Sequence, residues 1–299
     1  MTSVDKLIDQ IDRRMNNKLS DKDLLKSVHE KVAQIIDTER PNPVDFKNIV
    51  DVEKIREDAK NVRNLEDIWS RNNDESTIEA KRSADIAEYI LYKNFATWIN
   101  FKANPLIAAK ADDYLRGIDL IIESEDENDE DHLHHLGLGI DIALVSEKRS
   151  DIESKKNKMR NNLEKGYLTE ARYVSGGHFE GSLQDLPYTI LSISSKHIND
   201  LLSVATQKLP TEKEKKHILK YIVAYQILRQ LRVYYNVSSS KKFDTAAYQY
   251  ATANNFAVEI FSDLILEIEN NQEIWNEVSS DVGVIEIEKF CTEIENSLT

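Results

Sequence analysis

Two aspartates occupy nearly identical positions in the middle of the chain. Asp119 stands in the segment Gly-Ile-Asp-Leu-Ile-Ile and Asp141 in the segment Gly-Ile-Asp-Ile-Ala-Leu, and an acidic run separates the two segments. A carboxylate in an apolar setting costs several kcal/mol of folding free energy unless it is paired, or else it takes up a proton. Two such carboxylates on neighbouring segments therefore indicate that something compensates both of them.

Both segments have the composition of short β-strands, which we predict over residues 117–123 and 138–146. Side chains alternate along a strand, so a hairpin of these two strands can turn Asp119 and Asp141 toward one pocket. Two carboxylates and a backbone carbonyl are typical ligands of a hard divalent cation such as Mg²⁺. Such a cation can lower the pKa of a bound water and stabilise charge on a phosphoryl group. The pair therefore predicts metal-assisted phosphate chemistry.

Helical segments surround these strands. In chain order, the predicted elements are helices within 1–70 with Ser20 as an N-cap, a helix over 78–100, the strands 117–123 and 138–146, a helix over 150–166, strands over 170–175 and 188–194 separated by a glycine-rich turn, a helix over 211–235, and helices over 243–299. This order predicts an α/β fold: a small mixed sheet of about four strands flanked by helices, with helical additions at both ends. The predicted regions are an N-terminal helical region over 1–75, an α/β core over 76–236 and a C-terminal helical region over 237–299.

The composition limits the class of protein. Hydrophobic residues make up 40% of the 299 residues, and glycine and proline are scarce at 8 and 5, which favours a helix-rich globular fold. The single cysteine, Cys291, excludes an internal disulfide, and the start of the chain lacks the apolar stretch of a signal peptide. We therefore expect a cytoplasmic protein. No apolar run reaches the roughly 20 residues that a membrane helix needs, so we expect no membrane partner.

The charge is unevenly distributed. The chain carries 39 basic and 53 acidic residues, a net charge of −14, which argues against a protein that coats nucleic acid generally. Residues 148–172, however, contain eight basic and four acidic side chains, a local balance of +4. This stretch is either a solvated helix face or a surface that meets phosphate groups.

Four segments carry a family resemblance by their order and spacing. "EYILYKNF", "ADDYLRGIDLIIE", "LGLGIDIALVS" and "IESKKNKMRNNLEKG" together resemble the PD-(D/E)XK nuclease superfamily over roughly residues 80–235. The chain looks like a branch whose second motif strand lacks the lysine that usually follows two residues after the aspartate. The resemblance implies a restriction-endonuclease-like core, and "GYLTEARYV", "LPYTILSIS" and "HILKYIVAYQILRQL" extend it.

The resemblance also implies roles for particular residues. It places a helix-borne acid at Glu88 and metal ligands at Asp119 and Asp141. The alternative for the two aspartates is a strand-edge or turn position in which backbone N–H groups satisfy the carboxylate. The usual lysine would fall at Ala143, and related branches carry that lysine on the helix that follows. Glu88 lies at the edge of the apolar arc of its helix, so the alternative for it is an ordinary solvated glutamate.

Three neighbouring lysines in the helix predicted over 150–166, Lys155, Lys156 and Lys158, are candidates for this role. Ile152, Lys156, Met159 and Leu163 fall on one helical face, so Lys156 interrupts a row that should face the core. Lys156 is therefore the predicted site lysine and Lys155 the second choice, whereas Lys158 is predicted to point away. The alternative is that Lys156 packs its stem and extends its ammonium group into water.

The resulting hypothesis is a metal-dependent nuclease that acts on nucleic acid, with DNA as the expected partner. Mg²⁺ or Mn²⁺ would bind Asp119, Asp141 and the carbonyl of Ile142. Glu88 would complete the metal environment, and Lys156 would orient the attacking water or offset phosphate charge. The alternative is a catalytically degenerate nuclease fold that serves as a binding or scaffolding module, because fold alone does not establish function.

Three other segments with residue types found in metal, phosphate or nucleophile sites are interpreted as structural. We predict that His132, His134 and His135 lie in a solvated loop, since no cysteine supports a transition-metal site there. Residues 175–179 lack the Lys-Ser/Thr of a phosphate loop and predict a turn. Cys291 stands among apolar residues and is expected to be packed in the core.

Overall fold

The strands form one mixed sheet and one separate hairpin. The computed structural model describes residues 21–71, 74–124, 136–146, 149–150, 152–176, 179–207 and 209–298. The strands in this part of the chain are β1 (Asn104–Ile107), β2 (Leu120–Ser124), β3 (Leu136–Ser146), β4 (Arg149–Ser150), β5 (Thr169–Gly176), β6 (Phe179–Leu186) and β7 (Tyr188–Ser194). The central strand is β3, which pairs antiparallel with β2 and β4 and parallel with β7. β1 pairs with the outer edge of β2. In the described part of the chain, β5 and β6 pair with each other and form the separate hairpin.

The α/β class and the mixed sheet are confirmed, but the membership of the sheet differs from the prediction. The segment predicted over 170–175 is β5, which belongs to the separate hairpin. The strands β1, β4 and β6 were not predicted, and β4 has only two residues. β1 has only four residues and includes a proline, and β6 is half-exposed and polar, so neither shows the apolar alternation that marks a strand.

Helices surround the sheet and account for both ends of the described chain. They are α1 (Asp21–Glu39), α2 (Val52–Arg71), α3 (Glu75–Trp98), α4 (Lys110–Arg116), α5 (Ile152–Lys165), α6 (Ser195–Leu201), α7 (Glu212–Lys215), α8 (Leu219–Ser240), α9 (Asp244–Ile260), α10 (Ser262–Asn270), α11 (Gln272–Ser279) and α12 (Val282–Leu298). Gly166 ends α5 with a φ of +67°, as its position predicts. The helix predicted over 211–235 is wrong at its start: Thr211 and Glu214 form a capping box, but it caps the one-turn helix α7.

The helical additions pack onto the same core as the sheet. One cluster of buried apolar side chains extends from Val32 of α1, through Ile140 of β3 and Ile227 of α8, to Ile294 of α12. Cys291 lies in this cluster, as predicted, and burial raises the pKa of its thiol to about 12. In the described part of the chain, no helix is long and apolar enough to span a membrane.

Two glutamines of α8 close the outer edge of the sheet. Gln230 accepts a hydrogen bond from the amide of Ile190 at 3.0 Å and donates one to its carbonyl at 2.8 Å. Gln226 does the same for Ser192, with both distances 2.8 Å. Buried backbone groups need such partners, so these side chains replace the strand that would otherwise continue the sheet beyond β7.

A buried ionic cluster fixes α2 against the rest of the fold. Oδ2 of Asp58 in α2 accepts hydrogen bonds from Arg116, Arg172 and the hydroxyl of Tyr173, each at 2.9 Å. Nearby, Asp112 of α4 accepts from the backbone amides of Arg172 and Tyr173, also at 2.9 Å. These contacts join α2, α4 and β5, and thereby position one wall of the cleft described next.

Candidate functional site

A wide cleft lies between the N-terminal helices and one end of the sheet. Its volume is about 1800 Å³, larger than the roughly 300–1,000 Å³ typical of pockets for small ligands. The charged residues that line it include Arg40, Arg71, Lys81, Arg82, Lys155 and Lys158 with Glu66, Asp74, Asp85, Glu88, Asp113, Asp119 and Asp141. The cleft thus brings together Glu88, Asp119 and Asp141, three of the four residues predicted for the site.

The two aspartates reach the cleft floor from adjacent strands. Asp119 immediately precedes β2, and its amide donates to the carbonyl of Ile140 at 2.8 Å. The carboxylate of Asp119 turns back to β3 and accepts from the amide of Ile142 at 2.6 Å. Asp141 lies within β3 and is 2% exposed. Burial raises the pKa of Asp141 to about 6, with Lys155 acting in the opposite direction.

Lys155 is the group that compensates both aspartates. Its ammonium donates to Oδ1 of Asp141 and, at 2.7 Å, to the carbonyl oxygen of Ile142. It also lies 3.9 Å from Oδ2 of Asp119. Burial acts to lower the pKa of Lys155, but the charges of Asp119 and Asp141 outweigh burial and raise it. The three oxygen donors predicted to bind a cation therefore surround one cation already.

The prediction that Lys156 lies at the site is wrong. Lys156 is buried with Ile152, as the helical pattern predicts, but α12 covers this face of α5. Its ammonium donates to Glu153 at 3.0 Å and to Glu286 of α12 at 2.9 Å. The periodicity identified a buried face without identifying the neighbour that buries it.

The prediction that Lys158 points away from the site is also wrong. Its ammonium donates to the carbonyl of Arg116 and lies 5.7 Å from the centre of the Tyr188 ring. Burial lowers the pKa of Lys158. Gly117 makes this approach feasible: its φ is +70°, and a Cβ there would lie 2.9 Å from Nζ of Lys158 and 3.2 Å from Oδ2 of Asp141.

Glu88 is buried beside a second cation, so the alternative of an ordinary solvated glutamate is wrong. Nη2 of Arg40 donates to both carboxylate oxygens of Glu88 at 3.0 Å, and Nη1 lies 2.9 Å from Oδ2 of Asp113. Burial raises the pKa of Glu88 above its usual range. Burial, with the charge of Asp119 next, raises the pKa of Asp113 to about 8.

Arg40 and Asp113 were missed by the sequence analysis. Arg40 follows α1 in the segment "ERPNPVD", which carried only a signal for a break between helices. Asp113 had a detectable signal. Helical spacing over Lys110–Arg116 separates Asp112 from Asp113 by about 100°, so the two neighbouring acids must face different partners.

Replacing Arg40 with methionine should destabilise the protein strongly. Loss of the guanidinium leaves Glu88 and Asp113 buried without their counter-ion, which is expected to cost about 3–5 kcal/mol of unfolding free energy. Urea denaturation of Arg40→Met measures this loss. Arg56→Met is the matched control, because Arg56 and Glu53 form an ion pair with both side chains more than 70% exposed, and its loss should cost about 1 kcal/mol or less. Equal losses in both variants would contradict the structural role of Arg40.

A second group of potential metal ligands lies away from the cleft. Ring nitrogens of His197 and His217 and a carboxylate oxygen of Asp200 lie within 4.8 Å of one another. Nε2 of His197 pairs with Asp281 at 2.8 Å. Nδ1 of His217 accepts from the amide of Leu219 at 3.2 Å, so the proton of the neutral ring sits on Nε2. This tautomer disfavours metal binding by His217.

His217 should make stability depend on pH. Burial lowers the pKa of His217 to about 4, and His197 acts in the same direction. The folded protein therefore takes up this proton only well below the usual pKa of 6.5. The stabilisation is present above that value and is lost as the pH falls toward 4, by about 1 kcal/mol for a partly exposed ring. Urea titrations measure the unfolding free energy of the parent and of His217→Gln across this pH range. The parent should lose about 1 kcal/mol more than the variant as the pH falls, and parallel pH profiles would exclude the effect.

No family model matches the chain, and no curated protein or solved structure matches it either. The function must therefore be inferred from the cleft itself. His132, His134 and His135, and residues 177–178 of the predicted turn, lie outside the described residues. Within the described cleft, the oxygen atoms of Asp119, Asp141 and the Ile142 carbonyl are of the type that Mg²⁺ and Mn²⁺ prefer as ligands. These atoms already surround the ammonium of Lys155.

Proposed function

We propose that this protein is a metal-dependent nuclease whose substrate is DNA. The observation that carries the proposal is the convergence of Asp119, Asp141 and the Ile142 carbonyl on one point, where the ammonium of Lys155 lies. This point is on the floor of a cleft with a volume of about 1800 Å³, larger than the pockets typical of small ligands. The proposal includes a restriction-endonuclease-like core formed by the mixed sheet and its flanking helices.

Mg²⁺ or Mn²⁺ would be held by Asp119, Asp141 and the carbonyl of Ile142. When bound, the ion supplies Lewis acidity and a water of lowered pKa. Glu88 and Asp113 line the same cleft, where burial raises the pKa of both carboxyl groups, and Arg40 holds both in position. Two of the four predicted site residues thus keep their proposed roles as ligands, and Glu88 keeps a supporting one.

The lysines of α5 would act on the phosphate. Lys155 takes the role first assigned to Lys156: it offsets the phosphate charge and orients the attacking water at the cleft floor. Lys158, between the Arg116 carbonyl and the Tyr188 ring, would contact the DNA backbone. Such contacts fix the position of the strand but carry no sequence information.

A cleavage assay tests this function. End-labelled single-stranded DNA, duplex DNA and RNA are incubated with the full chain and Mg²⁺, Mn²⁺ or EDTA. The proposal expects cleavage of DNA with either metal and none with EDTA. Absence of cleavage on every substrate with both metals, or cleavage that persists in EDTA, would contradict it.

A binding or scaffolding module without catalysis is the second candidate, and one observation favours it. Lys155 and Arg40 already compensate the buried carboxylates of Asp141 and Glu88, so these two carboxylates have counter-ions without a metal. Under this alternative Mn²⁺ does not bind, and the Lys155 ammonium keeps its contacts with Asp141 and the Ile142 carbonyl. Titration calorimetry with Mn²⁺ separates the two candidates.

A further inference from the structure

An exposed tryptophan lies in the outer wall of the cleft. The side chain of Trp69, near the end of α2, is 41% exposed. Its ring packs edge-on against Tyr114, with centroids 4.7 Å apart and an interplanar angle of 76°. Nζ of Lys81 lies 5.8 Å from the ring centre. An indole held in place by neighbours and open to the cleft is suited to stack on a ligand.

Three cations accompany Trp69 on this wall. Arg71, Lys81 and Arg82 line the cleft beside it, and none of them forms an ion pair with a carboxylate of the described chain. The Lys81 ammonium instead lies over the Trp69 ring. Their charge is therefore available to a ligand, whereas Arg40 and Lys155 on the cleft floor are already paired.

The carboxylates of the outer wall are engaged locally. Asp74 caps α3 by accepting from the amide and the hydroxyl of Thr77 at 2.9 and 2.8 Å. Asp85 pairs with His29 at 2.7 Å, and Glu66 pairs with Lys110 at 3.0 Å. Thr77 is a neutral partner of Asp74, and His29 compensates Asp85 only when it is protonated. The three cations Arg71, Lys81 and Arg82 outnumber these two carboxylates, so this wall has a small excess of positive charge although the whole chain is acidic.

We infer that the outer wall binds an unpaired strand of DNA, with a base stacked on Trp69 and its phosphates near Arg71, Lys81 and Arg82. This inference rests on the proposed nuclease function and names its substrate class. Stacking on an aromatic side chain requires an open base face, which a paired and stacked duplex does not offer. The wall then guides a single strand, or the frayed end of a duplex, toward Asp119 and Asp141.

Binding without metal tests the inference separately from cleavage. Fluorescence anisotropy measures labelled oligothymidylate of about 20 nucleotides and a blunt duplex of the same length, both in EDTA with the full chain. The single strand should bind about 10-fold more tightly than the duplex, and Trp69→Leu should weaken its binding by about 10-fold. The matched control is Phe101→Leu, because Phe101 is 75% exposed and does not line the cleft; it should bind like the parent.

A charge variant and a competitor separate stacking from simple charge attraction. Lys81→Met should reduce the slope of log affinity against log salt concentration by about one unit. Poly-glutamate should compete poorly, since it has charge but no bases. Equal affinity for strand and duplex, no loss with Trp69→Leu, or full competition by poly-glutamate would each overturn the inference.

The outcomes also distinguish this inference from the nuclease proposal. Single-strand binding that depends on Trp69, without cleavage in any metal, would contradict the nuclease function and support the binding site. Metal-dependent cleavage that proceeds unchanged in Trp69→Leu would support the nuclease function and contradict the binding site.

Discussion

Replacing Asp141 with asparagine is expected to abolish Mn²⁺ binding and to lower DNA cleavage by ~10³-fold. Asp141 is buried at the cleft floor, and its carboxylate shares the Lys155 ammonium with the carbonyl of Ile142. Asparagine keeps the size of the side chain and removes the charge that a divalent ion needs. Titration calorimetry measures Mn²⁺ binding, and initial rates on end-labelled DNA measure cleavage.

The matched control is Asp263→Asn. Asp263 also pairs with a lysine, Lys102, at 3.4 Å, but its side chain is 54% exposed and does not line the cleft. This variant should bind Mn²⁺ and cleave DNA like the parent. Unchanged Mn²⁺ binding in a folded Asp141→Asn protein would show that the proposed metal site is not at this residue.

Replacing Lys155 with methionine should have opposite effects on metal binding and on catalysis. Its ammonium occupies the point where the three oxygen donors meet, so its removal should tighten Mn²⁺ binding. Cleavage should nevertheless fall by about 10²-fold, because the fixed cation beside the phosphate is lost. Without metal, Asp119 and Asp141 lose their counter-ion, and the unfolding free energy should decrease by about 3 kcal/mol.

Lys156→Met is the neighbouring control. Lys156 pairs with Glu153 and Glu286, whose side chains are 68% and 24% exposed, so its loss should cost about 1 kcal/mol or less. Mn²⁺ binding and cleavage should match those of the parent. If Lys156→Met lowers cleavage more than Lys155→Met, Lys155 is not the site lysine that its contacts indicate. Lys156, which helical periodicity predicted, would then be the site lysine.

The aspartates could be predicted from the sequence because their signal is local. A carboxylate inside a short apolar segment is conspicuous, and Asp119 and Asp141 share the same Gly-Ile-Asp setting. The pairing of β2 with β3 follows from their closeness along the chain. The strand β5, by contrast, was assigned to the wrong sheet, since its partner β6 is polar and carries no strand pattern of its own.

The cations could not be assigned from the sequence because their partners are distant along the chain. Lys155 and Lys156 are adjacent in the helix but have different partners. The partner of Lys156 is Glu286, which lies 130 residues further along the chain. Arg40 meets Glu88 across 48 residues. Periodicity predicts that a helical face is buried, but the identity of the covering element depends on the packing of the whole fold.

Anomalous diffraction from Mn²⁺-soaked crystals tests the central claim most directly. We expect a manganese peak bonded to Asp119, Asp141 and the carbonyl oxygen of Ile142, with the Lys155 ammonium displaced from all three oxygens. A structure without a peak at this position, in which Lys155 still donates to Asp141 and Ile142, would contradict it.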